Sequence, residues 1–150
     1  MKVEMIRTSA ANLDFQQLVK NLDKYLACID GDEHGFYAQY NKIHVLQHTV
    51  VLYVDKSPCS CGAFKPMDNK TVEIKRMFTA TSCRGKGLAS RVLQELEGWA
   101  KELGYESCKL ETGKRMPDAV KFYEKHGYRD IPNYGQYAGV ENSICFEKML

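Results

Sequence analysis

Arg84-Gly85-Lys86-Gly87-Leu88-Ala89 stands where a β-type run, Val72 to Phe78, gives way to a helical pattern carried by Leu88, Val92, Leu96, Trp99 and Leu103. A glycine-rich entry to a helix offers several backbone N–H groups without intrahelical partners, beside the positive end of the helix dipole. Such a turn holds phosphate. A P-loop, G-x-x-x-x-G-K-[ST], does not fit, because Lys86 is followed by Gly87. A dinucleotide loop, G-x-G-x-x-G/A, comes nearer at Gly85 to Ser90, with Glu111 further along as a stand-in for the ribose ligand. Dinucleotide folds, however, open with this unit on a mostly parallel sheet. Here hairpin-like strands come first, and Ala80 to Cys83 separate the strand from the glycines.

The elements that must position this loop follow from patterning. Val3 to Arg7 alternates as a strand, and Asn12 is placed to cap a helix. That helix carries its stripe on Leu13, Leu18, Leu22, Tyr25, Leu26 and Ile29 and ends at Gly31. Residues 33–43 read as a second, shorter helix. Thr49 to Val54 and Ser60 to Phe64 flank a turn and form a hairpin; a second turn at Pro66 to Asn69 precedes the strand at 71–79. That strand breaks its own alternation, since Met77 and Phe78 follow Val72 and Ile74, which predicts a β-bulge near Arg76. After the long helix, stopped at Gly104, Ser107 to Thr112 is a strand parallel to the earlier one. Pro117 opens a last helix closed by Gly127, and Tyr128 to Ile131 and Ser143 to Glu147 complete the sheet.

Two segments in this order carry a family likeness. Glu73 to Thr79 followed by Arg84-x-x-Gly87-x-Ala89 resembles the R/Q-x-x-G-x-G/A pyrophosphate motif of the GNAT superfamily of N-acetyltransferases. Ala119-Val120-Lys121-Phe122-Tyr123-Glu124-Lys125-His126-Gly127-Tyr128 is similar to that superfamily's later A-x-x-F-Y-x-x-x-G-[FY] motif. The likeness is strongest over residues 71–131. The expected fold is α/β with α+β character: a mixed, mostly antiparallel sheet, one β-α-β crossover and helices on both faces, in a single domain over residues 1–150. Thr81 stands where the family often has proline. Met116 stands where Asn or Gln often starts the later helix, which bears on one side-chain contact to the cofactor and not on binding itself.

The resemblance implies acetyl-CoA as co-substrate. The N–H groups of Gly85, Lys86, Gly87, Leu88 and Ala89 would cradle its pyrophosphate, with Arg84 and Lys86 adding charge, and backbone of Met77, Phe78 and Thr79 would pair with the pantetheine amides. Two proton transfers remain. A lysine-type amine has a pKa near 10.4 and an α-amine near 8, so the acceptor must be deprotonated before attack. Glu73 is similar in position to the glutamate that serves many members as general base, and Tyr123 to the tyrosine that protonates the leaving thiolate. The competing readings are a solvated strand charge for Glu73 and helix packing for Tyr123. Direct transfer in a ternary complex, to a primary amine of a small molecule or peptide, is the expected reaction. The alternative is a module that binds acyl-CoA without catalysis, as a sensor or interaction partner.

Other residue groups offer less. Cys28, Cys59, Cys61, Cys83, Cys108 and Cys145 contain one close pair and no zinc-finger spacing, so they read as free thiols and small buried hydrophobes, and the chain as cytoplasmic. Cys83 has no base near it in sequence to make it a nucleophile. His44 and His48 stand four apart but lack a third metal ligand, so no metal is expected. Ile131 to Gly139, rich in Tyr, Asn and Gly, is either a cover over the acceptor or a plain connection. A net charge of +2 speaks against a nucleic-acid partner, no apolar run is long enough to span a bilayer, and a homodimer is compatible with the chain.

Overall fold

A computed structural model of the 150-residue chain describes residues 1–39, 42 and 46–150. The strands are β1 (Val3–Thr8), β2 (His48–Val54), β3 (Ser57–Pro66), β4 (Thr71–Thr79), β5 (Ser107–Gly113), β6 (Arg129–Ile131) and β7 (Ser143–Met149). The helices are α1 (Leu13–Asp30), α2 (His34–Ala38), α3 (Leu88–Glu102) and α4 (Pro117–Lys125). The strands form one sheet in the order β1-β2-β3-β4-β5-β7-β6. Pairs β1–β2, β2–β3, β5–β7 and β6–β7 are antiparallel, and β4–β5, joined through α3, is parallel. This is the mixed, mostly antiparallel α/β arrangement with one crossover that the element order predicts. None of the described helices is long and apolar enough to cross a membrane.

The chain forms two compact units, residues 1–65 with 74–99 and residues 66–73 with 100–150. In the first unit Asn12 caps α1, its side chain accepting from the Phe15 N–H at 2.8 Å, and the Gly31 N–H closes the helix on the Ala27 carbonyl. The buried face of α1 is Phe15, Leu18, Val19 and Leu22, whereas Leu13 is 77% exposed. The expected stripe was therefore rotated: Phe15 and Val19 complete the i, i+3, i+4, i+7 set, and Leu13 lies on the first turn outside it. The second helix is shorter than residues 33–43, and the end of that range lies outside the described residues. Asp55 and Lys56 both adopt positive φ (49° and 70°), which makes the β2–β3 connection a two-residue hairpin turn and lets β3 start at Ser57 rather than Ser60.

The hairpin separates two helices within this unit. Val51 pairs with Cys61 and Thr49 with Ala63, and Val51, Cys61 and Ala63 pack with Phe15, Leu18 and Val19 of α1. Val50 pairs with Gly62, on the opposite face, where Val92 and Leu96 of α3 approach. Side chains alternate across a strand, so α1 and α3 cover opposite faces. Gly62 makes room for this contact: a Cβ there would lie 2.4 Å from Met77 Sδ and 2.8 Å from Leu96 Cδ1, so those side chains would have to shift. Gly62→Ala is expected to cost about 1–3 kcal/mol through overpacking, read as a lower denaturant midpoint, and Met77→Ala in the same chain to restore part of it.

β4 departs from regular strand geometry at Arg76, the position where its alternation breaks. Arg76 has φ 60°, a left-handed conformation inside a strand, and its guanidinium is buried and paired with Asp23 of α1. The Cys61 thiol lies 3.6 Å from the Arg76 carbonyl. A non-glycine residue in this region costs energy unless neighbours hold it, and the ion pair supplies that hold.

In the second unit the Asp68 carboxylate accepts from the N–H groups of Lys70 and Thr71 (2.7 and 2.8 Å), and these bonds hold its pKa down. The parallel ladder to β5 runs through Thr71↔Ser107, Val72↔Cys108 and Glu73↔Lys109. On β5 and β7, Leu110↔Phe146 alternates with Lys109↔Glu147 and Glu111↔Cys145. One face is therefore apolar, with Cys108 and Phe146 wholly buried and Leu110 nearly so, and the other presents Glu73, Lys109, Glu111 and Cys145.

Candidate active site

The glycine loop lies in the first unit. Thr81–Cys83 form a short 3-10 turn, Arg84 to Gly87 are exposed, and Gly85 and Gly87 take φ of 79° and 73°. A side chain at either position would strain the turn although space is open around both. The first α-helical bond of α3 runs from the Arg91 N–H to the Gly87 carbonyl. The N–H groups of the turn before Arg91, those of Leu88, Ala89 and Ser90, therefore precede the intrahelical ladder and suit an anion.

Arg84 is turned toward the protein. Its Nε donates to the Thr79 carbonyl at 3.1 Å, and the guanidinium lies 5.4 Å from the Tyr25 ring and 5.9 Å from the Phe78 ring. The Phe78 carbonyl accepts from the Ser60 hydroxyl at 3.0 Å, and Ser60 and Thr79 hydroxyls are 2.9 Å apart. The carbonyls of Phe78 and Thr79 thus already hold one partner each. A carbonyl has two lone pairs, so each retains capacity for a second donor.

Glu73 lies in the second unit on the polar face, and it is 3% exposed, so it is not a solvated strand charge. The Tyr134 hydroxyl donates to Glu73 Oε2 at 2.6 Å. Burial, and then the Glu73 charge, push the Tyr134 phenol far above the ordinary tyrosine range. Burial also raises Tyr137, with the charges of Glu111 and Glu73 adding to it. Lys109 lies 5.8 Å from the centre of the Tyr134 ring.

Tyr123 lies on the apolar face. Its ring meets Phe122 at 5.1 Å, Tyr128 at 5.6 Å and Phe146 at 6.3 Å. The structure does not bring Tyr123 beside Glu73: the two stand on opposite faces of the same strands. Burial raises the Tyr123 phenol above its usual value, so it remains a proton donor at neutral pH. Pro117 sits in the first turn of α4, as expected, and the Met116 side chain makes no capping bond.

The family model for "Acetyltransferase (GNAT) family" matches residues 15–128. The chain belongs to that family. An N-acetyltransferase of Bacillus subtilis, YsnE, whose role is uncharacterised, is 38% identical over 92 residues, 60% of this chain and 61% of that protein. The match with YsnE thus spans about three fifths of the relative's own length. The IAA acetyltransferase of Azospirillum brasilense is 30% identical over 142 residues, 89% of each chain. In structure, a GNAT family acetyltransferase from Elizabethkingia anophelis with acetyl-CoA bound superposes with a TM-score of 0.73 over 99% of this chain and 98% of its own, at 17% identity, a likeness of fold.

Within this GNAT chain the remaining candidates have structural explanations. Cys83 is hydrogen-bonded with Cys59, and its Sγ lies 3.8 Å from the Ser82 hydroxyl; neither neighbour is a base. Burial, then the bond to Cys83, raise the Cys59 thiol, and burial pushes Cys61 up to about 12. His44 lies outside the described residues. His48 stacks on Phe64 at 4.8 Å and meets Trp99 edge-on at 4.9 Å. No group of three or more His, Cys, Asp or Glu among the described residues is arranged to hold a metal.

Burial lowers the His48 pKa below its unfolded value of about 6.5. The unfolded chain therefore binds more protons than the folded one between those two values. The stability contribution is complete above about pH 6.5 and lost as pH falls through the folded value. His48→Phe, which keeps the stack but not the titration, should show a smaller drop in denaturant midpoint between about pH 7.5 and about pH 5 than the parent chain.

Sequence reasoning placed the loop, Glu73 and Tyr123 but missed the Tyr134–Glu73 bond, which joins residues 61 apart. The only sequence signal was the aromatic and amide content of Ile131 to Gly139.

Proposed function

We propose that this chain transfers an acetyl group from acetyl-CoA directly to a primary amine of a small molecule or peptide. The observation that carries the reading is the buried Glu73 carboxylate on β4, the strand that runs on to the glycine loop. Acetyl-CoA bound to the Elizabethkingia relative supports the choice of donor. The N–H groups of residues 85–89 receive the pyrophosphate, with Lys86 exposed to add charge.

Glu73 takes a proton from the acceptor ammonium, and the amine attacks the thioester carbonyl. As the tetrahedral intermediate collapses, the C–S bond breaks and the Tyr123 phenol donates its proton to the leaving thiolate. The second excess proton on the former amine nitrogen restores the Tyr123 phenol, and Glu73 releases the first to solvent, so each turnover gives the neutral amide, the free thiol and one proton. Six unbridged cysteines, five of them buried, support a reducing, cytoplasmic setting.

Thiol release from acetyl-CoA over a panel of primary amines tests the proposal. Amine-dependent turnover with the acetylated amine as product is the expected result. Tight coenzyme A binding with no turnover on any amine would instead make the chain a binding module.

A further inference from the structure

The connection between β6 and β7 is built to deliver one hydroxyl. The Asn133 side-chain amide donates to the carbonyls of Val140 and Ser143, both at 3.0 Å, and ties the start of this connection to its end. The Tyr137 N–H bonds the Tyr134 carbonyl at 2.9 Å, and the two rings meet edge-on with centroids 5.9 Å apart. Tyr134 is thereby held with its phenol against Glu73 Oε2 at 2.6 Å, within the range of a charge-assisted O–H···O⁻ bond.

We propose that Tyr134 is a positioning residue: by donating to Oε2 it fixes the orientation of the Glu73 carboxylate and stabilises the ionised form in a buried site. The proposal rests on Glu73 being the general base. A buried carboxylate without donors favours its protonated form, in which it cannot accept the amine's proton. A tyrosine supplies a donor that carries no charge of its own and therefore neither neutralises Glu73 nor repels a cationic acceptor. The high phenol pKa keeps that donor protonated throughout the working range. The other ionisable groups facing this pair are Lys109 and Glu111 of β5, Cys145 of β7 and Tyr137 of the same connection. Lys75 lies two residues further along β4.

The test compares pH–rate profiles of the full chain and of Tyr134→Phe, Glu73→Gln and the double variant, on an amine that the parent acetylates. Tyr134→Phe should move the acidic limb of kcat/KM upward by about one to two pH units, the equivalent of a lost hydrogen bond to a charged group. Its kcat at neutral pH should fall about tenfold or more while KM for acetyl-CoA stays within about twofold. In the double variant the Tyr134 change should add no further loss to that of Glu73→Gln. Difluorotyrosine at position 134, close to tyrosine in shape but a stronger donor, should move the limb downward, and it serves equally if Tyr134→Phe folds poorly.

An unmoved limb in both Tyr134 replacements, with Glu73→Gln still inactive, overturns the positioning role and leaves Glu73 as base. Full additivity of the two losses also overturns it. An active Glu73→Gln with an unchanged profile overturns the base assignment itself, and the positioning role with it.

Discussion

Glu73→Gln is expected to lower kcat by about two to three orders of magnitude near neutral pH, the usual contribution of a positioned general base. The loss should grow as the pH falls. The variant must rely on amine that is already neutral in solution, and below the amine's pKa of about 8 to 10.4 that fraction drops tenfold per pH unit. The parent binds the ammonium form and deprotonates it in place, so its rate falls less steeply until Glu73 itself is protonated. A plot of log kcat/KM for the amine against pH should therefore have a slope near one for the variant over the range in which the parent is nearly level. Equal losses at all pH values would show that Glu73 binds or shapes the site without accepting the proton. The substitution keeps the size of the side chain and an acceptor oxygen for Tyr134, so the fold should persist, as checked by an unchanged thermal midpoint.

Tyr123→Phe should slow turnover by about one to two orders of magnitude with little change in affinity for coenzyme A, because it removes a proton donor and keeps the ring. The ring's contacts with Phe122, Tyr128 and Phe146 make the tyrosine a packing residue as well. Phenylalanine preserves that packing, which is why it separates the two roles. The decisive comparison uses acyl donors whose thiols differ in pKa. If Tyr123 protonates the thiolate, donors with more acidic thiols lose less on substitution, since their anions depart without help. An equal loss for every donor, or a large fall in coenzyme A affinity, would instead assign Tyr123 to binding.

Much of the machinery was legible because it is local. The glycines before α3, the cap at Asn12, Pro117 and the broken alternation at Arg76 are determined by neighbours within a few residues, where backbone sterics and side-chain spacing decide. Arg76 is the clearest case: the hydrophobic period becomes irregular there, and the backbone takes a φ of 60° at the same residue. The α1 stripe was misjudged because Leu13 and Tyr25 are apolar yet placed where solvent reaches, and only packing against Val51, Cys61 and Ala63 selects Phe15 and Val19 instead.

The sequence by itself determined the family, the glycine turn before α3, the strand that carries Glu73 and the helix that carries Tyr123. Each of these is written in residues close together along the chain. Tertiary structure alone decided that Glu73 is buried, that Tyr134 holds its carboxylate, that Arg84 is turned toward Thr79, Tyr25 and Phe78, and that Tyr123 stands on the other face of the strands. Those relations depend on strand register and on contacts between residues far apart in the chain. No local period records them, because a register shift of one residue exchanges the faces while leaving every local pattern intact.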